Sequence, residues 1–295
     1  MKPYLKLMRI DQWSKNAFVF LPLVFSGNIF HAQFFLESLF ACIVFSLASS
    51  SVYIFNDYID READRRHPDK KHRPLASGAV RPAQAFALFA GILMAAILLV
   101  VCGWSFFRMG GFYFVIVTAA YWGIHILYSI KLKHVAIVDI FVVALGFVLR
   151  VLAGGTATGI PVTQWMILLS FSLALILIIG KRREELIRFS TNPEKNREAL
   201  AGYNIRLTDV LLSISCTLAV ICYLMFSLAP ETMEKFHPRI FYTILFVIFG
   251  FMRYLQQTLV YNRAESPATM VYKDRYILAT LVLWFSIFLL QIYVK

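Results

Sequence analysis

The chain has 295 residues, of which 59% are hydrophobic and 16% charged, with a mean hydropathy of +0.68. A soluble domain is roughly 45–50% apolar, so these values exclude a water-soluble globular fold and point to repeated membrane spans. The 29 Lys and Arg against 17 Asp and Glu, a formal charge of +12, fit loops held on the anionic side of a bilayer better than nucleic-acid binding.

Lys2, Lys6, Arg9, Asp11 and Lys15 precede the first apolar run, and no short cleavable core ends in small residues there, so that run is expected to be permanent. Apolar stretches follow at 17–34, 35–55, 82–103, 110–128, 135–153, 163–180, 207–228, 238–256 and 276–294. Most have the roughly 17–25 residues that cross a bilayer as helix. The first is interrupted by Pro22 and Gly27 and is expected to be broken or tilted. The expectation is an all-α, polytopic bundle of about nine transmembrane helices in one domain, 1–295. With the N-terminus in the cytoplasm, 24 of the 29 basic residues fall in the inside segments 1–16, 56–81, 129–134, 181–206 and 253–275. Only Arg108, Arg150, Lys235, Arg239 and Lys295 lie elsewhere, as the positive-inside rule requires. The two long polar loops, 56–81 and 181–206, are four spans apart, which hints at two related halves. Cys42, Cys102, Cys216 and Cys222 all sit in apolar stretches without CxxC spacing and read as buried thiols.

The most informative stretch is Asn56-Asp57-Tyr58-Ile59-Asp60-Arg61-Glu62-Ala63-Asp64, directly after the second span. At about 100° per helical residue, with Asn56 at zero, Asp60 falls near 40°, Asp64 near 80° and Asp57 near 100°. Glu62 falls near 240°, on the far side. One amide and three carboxylates share this face, and the three carboxylates repel one another unless a cation joins them. Mg2+, which shares oxygen ligands between carboxylates and substrate phosphates, is the expected partner of Asn56, Asp57, Asp60 and Asp64. Pro68 and Pro74 then fix a loop that carries Lys70, Lys71 and Arg73. Acids for a metal followed by bases for phosphate oxygens suit a magnesium–diphosphate substrate.

Asn-Asp-x-x-Asp-x-x-x-Asp after the second span resembles the first acidic motif of the UbiA prenyltransferase superfamily. A narrower branch is also similar. Asp64-Arg65-Arg66-His67-Pro68, Lys70 and Arg73-Pro74-Leu75-Ala76-Ser77-Gly78 resemble decaprenyl-phosphate phosphoribosyltransferases. So do Arg9 with Gln12-Trp13-Ser14-Lys15-Asn16, and Tyr128-Ser129 with Leu132-Lys133 and Asp139. Gly146-Phe147-Val148-Leu149-Arg150, Ala153-Gly154-Gly155 and Gly180-Lys181-Arg182-Arg183-Glu184-Glu185-Leu186 extend the likeness. The resemblance implies a bacterial inner-membrane enzyme with a cytoplasmic active site. Its donor would be phosphoribosyl pyrophosphate, and its acceptor a polyprenyl phosphate lying in the lipid bilayer. It implies substrate contacts at Lys15, Lys70, Arg73, Tyr128, Lys133, Lys181, Arg182 and Glu185. One departure favours this branch: where prenyltransferases of the superfamily carry a second Asp-rich motif, this chain has three bases, two glutamates and no aspartate.

Asp139, just inside the fifth span, shares a helix stripe with Gly146 and Arg150 and is a candidate to orient the sugar or the nucleophile. A structural pairing with Lys133 or Lys181 is its alternative. Arg150 reads as a residue that snorkels to the outer headgroups or else binds ligand, and Gly146, Gly154 and Gly155 as helix-packing residues. Prenyl transfer from a prenyl diphosphate is the competing enzyme reading. A transporter or lipid-binding protein is a third, disfavoured because the acids cluster at one cytoplasmic exit.

Overall fold

The computed structural model describes residues 2–67, 70–106, 111–190, 198–236, 238–261, 270 and 273–293. Among them there is no strand. The chain forms two compact units, 1–162 and 163–295.

The first unit begins with α1 (Lys2–Leu7), a 3-10 helix (Ile10–Phe20) and α2 (Leu21–Phe25). Eleven residues of 3-10 helix is long for that geometry. Pro22 accounts for part of it: it lacks the N–H that would bond the Phe18 carbonyl in an α-helix, and the Leu21 N–H reaches Phe18 instead. Next comes α3 (Ala32–Arg66), 35 residues and so ~52 Å long. That exceeds the ~30 Å hydrocarbon core by several turns, so the acidic stretch rides on a helical extension. The helix stops at His67, which is extended as a residue before proline prefers; Pro68 and Asp69 lie outside the described residues. Then come α4 (Pro82–Phe106), α5 (Gly111–Ile130) and α6 (Val138–Thr158).

Small residues let these helices meet. Ser46, Ser49, Ser50 and Ser51 form a buried seam along α3. Trp13 Nε1 donates to Ser50 Oγ at 3.0 Å and Asn16 Nδ2 to Ser46 Oγ at 2.9 Å. The 3-10 segment therefore runs antiparallel to α3. On its other side a Cβ on Gly154 would stand 1.9 Å from the Val19 carbonyl oxygen, so only glycine admits this approach. Gly146 is similarly crowded by His125 of α5, which bears out its helix-packing role, whereas Gly155 is crowded by Ile160 and Val162 of the segment after its own helix.

The second unit contains α7 (Gln164–Ser190), α8 (Ile205–Leu228), α9 (Pro230–Lys235) and α10 (Ile244–Leu255). A π-helical turn (Gln256–Val260) prolongs α10, and α11 (Arg275–Tyr293) follows. Seven of the helices described are long and apolar enough to cross a membrane, which makes the protein multi-pass. The other two expected spans behave differently. The first apolar stretch is divided between 3-10 and short α-helix, and in the last the apolar helix covers Arg275–Gln291. All four thiols are free, with Cys216 and Cys222 buried.

Candidate active site

The acids of α3 divide as the helical wheel requires. Asp57 and Asp64 are buried, with side chains 3% and 5% exposed, while Glu62 is 61% exposed. Each inward acid meets a cation from another element. Arg9, in the left-handed backbone conformation before the 3-10 helix, donates Nη2 to Asp57 Oδ1 at 2.5 Å. Its guanidinium also lies 5.0 Å from the Tyr53 ring centroid. Arg73, from the loop after α3, bridges two acids through one nitrogen: Nη1 lies 3.1 Å from Asp57 Oδ1 and 2.7 Å from Asp64 Oδ2. Lys133, buried in the α5–α6 connection, donates to Asp60, which also accepts from Asn56 Nδ2 at 3.2 Å. Lys133 is thereby engaged with one of the α3 carboxylates.

The fit of this set to a divalent cation can be judged from its donors. All are hard oxygens, and the Asp57 and Asp64 carboxylates already share one positively charged nitrogen between them. A cationic centre thus sits at the place a metal would need. In the present arrangement the acids face separate cations, and among the described residues no three His, Cys, Asp or Glu side chains are gathered to hold a metal.

Other expected site residues of this unit lie at its edges. Asp139 is fully buried in the first turn of α6, directly after Ile137, whose φ of 69° is unusual for a β-branched residue. Tyr128 and Lys70 are half-buried. Lys15 is exposed yet crowded by protein, as in a recess. Desolvation by that crowding, then the Arg150 and Arg9 cations, bring its ammonium down to about 8.

Arg150 corrects the sequence reading. It is 3% exposed and does not snorkel. Nε donates to Asn16 Oδ1 at 2.7 Å, Nη1 to the Gly146 carbonyl at 2.7 Å and Nη2 to the Tyr121 hydroxyl at 3.0 Å. It also lies over the Tyr121 and Phe147 rings, at 5.0 and 5.3 Å. Low exposure and neutral partners make it a buried tether for the N-terminal segment. Sequence reasoning missed this because Asn16 is 134 residues away. The available signal was an arginine on the same stripe as a crowded glycine.

In the second unit, Lys181 is exposed and Arg182 buried at the end of α7. Arg182 donates to Glu185 at 2.7 Å, three residues on. Arg183 pairs with Asp209 of α8 at 2.6 Å, an acid that motif reading did not single out. Ahead of α11, Asp274 pairs with Arg253 at 2.9 Å.

The first unit thus gathers carboxylates and bases at one end of a long helix, in a chain whose helices are apolar enough to cross a membrane. Residues 17–287 match the model of the UbiA prenyltransferase family, and the chain belongs to that family; it is a membrane transferase. It is 37% identical over 223 residues to a decaprenyl-phosphate phosphoribosyltransferase of Mycolicibacterium smegmatis, covering 74% of this chain and 68% of that protein. It is 33% identical over 222 residues to the protein of that name from Mycobacterium tuberculosis, covering 74% and 71%. Its fold is similar to that of a UbiA homologue from Archaeoglobus fulgidus solved with GPP and Mg2+. The TM-score is 0.67 at 17% identity, over 99% of this chain and 100% of that one.

Proposed function

We propose that the protein transfers 5-phosphoribose from phosphoribosyl pyrophosphate to a polyprenyl phosphate, releasing diphosphate. The supporting observation is the α3 end, where three carboxylates and three cations from separate elements converge. The relatives named as phosphoribosyltransferases supply the donor class. In this reading a lipid phosphate oxygen bonds to ribose C1 while the bond from C1 to the diphosphate oxygen breaks, its electron pair leaving with diphosphate. Positive charge develops on the sugar, as in glycosidic cleavage. The attacking phosphate is already anionic at neutral pH, so no strong base is required.

Magnesium held by Asn56, Asp57, Asp60 and Asp64 would neutralise the leaving diphosphate. Lys70, Arg73 and Lys133 hold donor phosphates, and Lys15 and Tyr128 contact substrate. Asp139 orients the sugar hydroxyls or the nucleophile. Lys181, Arg182 and Glu185, of the second unit, are substrate contacts in this reading. The whole chain acts as one transmembrane domain of nine crossings in the bacterial inner membrane, with its N-terminus and active site cytoplasmic.

The test is direct. Purified protein in detergent, given Mg2+, a polyprenyl phosphate and phosphoribosyl pyrophosphate, is expected to yield the lipid-linked phosphoribose. Turnover of a prenyl diphosphate with an aromatic acceptor, and none with phosphoribosyl pyrophosphate, would replace this reading with prenyl transfer.

A further inference from the structure

The acidic end of α3 is electrically closed. Asp57, Asp60 and Asp64 bring three negative charges, and Arg9, Arg73 and Lys133 bring three positive ones, each in contact with an acid. One partner of each pair is withdrawn from water, with side-chain exposures of 3% for Asp57, 5% for Asp64 and 6% for Lys133, while Arg9, Arg73 and Asp60 stay about a quarter exposed at 24%, 26% and 23%. Removing one partner from a buried ion pair is costly because the other charge is left uncompensated.

This closure decides how a metal can enter. A divalent cation arriving alone would have to displace Arg73 from the point between Asp57 and Asp64, and Lys133 from Asp60. It would offer the displaced cations nothing. A diphosphate arriving alone meets the converse obstacle, because the bases that would hold it are engaged with carboxylates. A metal–diphosphate complex satisfies both sides at once: the carboxylates exchange arginine and lysine for metal, and the bases exchange carboxylate for phosphate oxygen. Arginine suits such an exchange, since its planar fork matches carboxylate and phosphate alike.

We infer that Arg9, Arg73 and Lys133 are place-holding counter-ions of the α3 carboxylates, so that the site takes up divalent metal and diphosphate together and neither tightly alone. Arg9 thereby joins the donor site from the N-terminal segment. The inference rests on the metal–diphosphate reading above and adds to it the order of binding and the role of Arg9. Its range is set by linkage: whatever factor diphosphate adds to metal affinity, metal adds to diphosphate affinity.

Equilibrium dialysis of the full-length protein in detergent tests it, with Mn2+ as the metal and inorganic diphosphate as the anion. Protein-retained Mn2+ is followed at fixed free Mn2+. Diphosphate is expected to strengthen Mn2+ retention at least about tenfold, and Mn2+ to strengthen diphosphate retention by the same factor. Arg9→Gln is expected to retain more Mn2+ without diphosphate than the wild type does, and to show a smaller diphosphate effect. Arg66→Gln, an exposed cation on the same helix, is the control for mere proximity of charge and is expected to change neither. Equal Mn2+ affinity with and without diphosphate would overturn the exchange and leave the metal site standing. Absence of Mn2+ retention in both conditions would defeat the metal-site reading and the exchange with it. If Arg9→Gln does not fold, the wild-type comparison decides alone.

Discussion

At the end of α3 the ion pairs join elements far apart in the chain: Arg9 reaches Asp57 across 48 residues and Lys133 reaches Asp60 across 73. At the end of α7, by contrast, Arg182 meets Glu185 and Arg188 meets Glu184 within one helix. Pairs of the second kind follow from spacing alone, and when exposed they contribute a few tenths of a kcal/mol. Pairs of the first kind exist only once the fold has brought their elements together. Their buried charges are the ones a charged ligand can take over.

The comparison is broken most severely by removing an α3 acid. Asp64→Asn is expected to abolish turnover while the protein stays folded, because Asp57 still holds Arg73 and Arg9, whereas Asp60→Asn is expected to abolish turnover and also to cost stability, because it takes the carboxylate from the buried Lys133. Asp57→Asn is expected to cost stability as well, since Arg9 loses the carboxylate it meets while Arg73 keeps only Asp64. Glu62→Gln, on the outer face, should be nearly silent. Product formation measured beside thermal unfolding separates these outcomes, and equal loss in Glu62→Gln would end the one-face argument.

The second prediction sharpens the α7 side. If the donor carries a 5-phosphate, Lys181→Met and Arg182→Met should raise its KM roughly tenfold to a hundredfold, as loss of a charge-assisted hydrogen bond worth about 1.5–3 kcal/mol requires. The lipid's KM should barely move. Greater sensitivity to Glu184→Gln and Glu185→Gln than to loss of the bases would instead favour metal ligands and prenyl transfer.

A pair that spans elements but serves structure gives the third. Burial alone would raise the Asp274 carboxyl, but hydrogen bonds from Arg253 and from the Ile277 and Tyr276 N–H groups outweigh it and hold the group below its ordinary range. Its contribution is therefore present above the unfolded carboxylate value, about 4, and is lost as pH falls through the lower folded value. Asp274→Asn is expected to lower the Tm by several degrees at neutral pH, with a gap that closes in acid, while activity per folded molecule is kept. A gap that stays constant down to pH 2 would refute this.

The smallest effect concerns Lys15. With its ammonium at about 8, the donor's KM in the wild type should rise a fewfold as pH passes upward through that value. Lys15→Arg, which stays charged, should flatten the profile. An unchanged profile in that variant would remove Lys15 from the donor site.

The parts legible in the sequence were those that repeat with the helix. The inward turn of Asp57 and Asp64, the outward turn of Glu62 and the apolar runs of α4 to α8 all follow from 3.6-residue periodicity and composition. What escaped was whatever depends on a distant partner. Arg150 looked like a headgroup anchor because its position along α6 was readable and its bond to Asn16 was not. Arg73 looked like a phosphate ligand, and its bridge between Asp57 and Asp64 depends on how the loop folds back over α3. Pro22 did announce a break in the first apolar stretch, but nothing local announced that the break would be 3-10 helix docked on a serine seam.

The tether between Arg150 and Asn16 also sets a schedule for biogenesis. Residue 16 leaves the ribosome long before residue 150, and at roughly 5–20 residues per second the interval is on the order of ten seconds. Throughout it the amino-terminal segment, with the half of the serine seam that it covers, has no arginine to dock on and no Gly154 groove to enter. A segment made early is thus among the last of its half to settle. A nascent chain arrested before α6 should leave it open to protease, and one arrested after α6 has emerged should not.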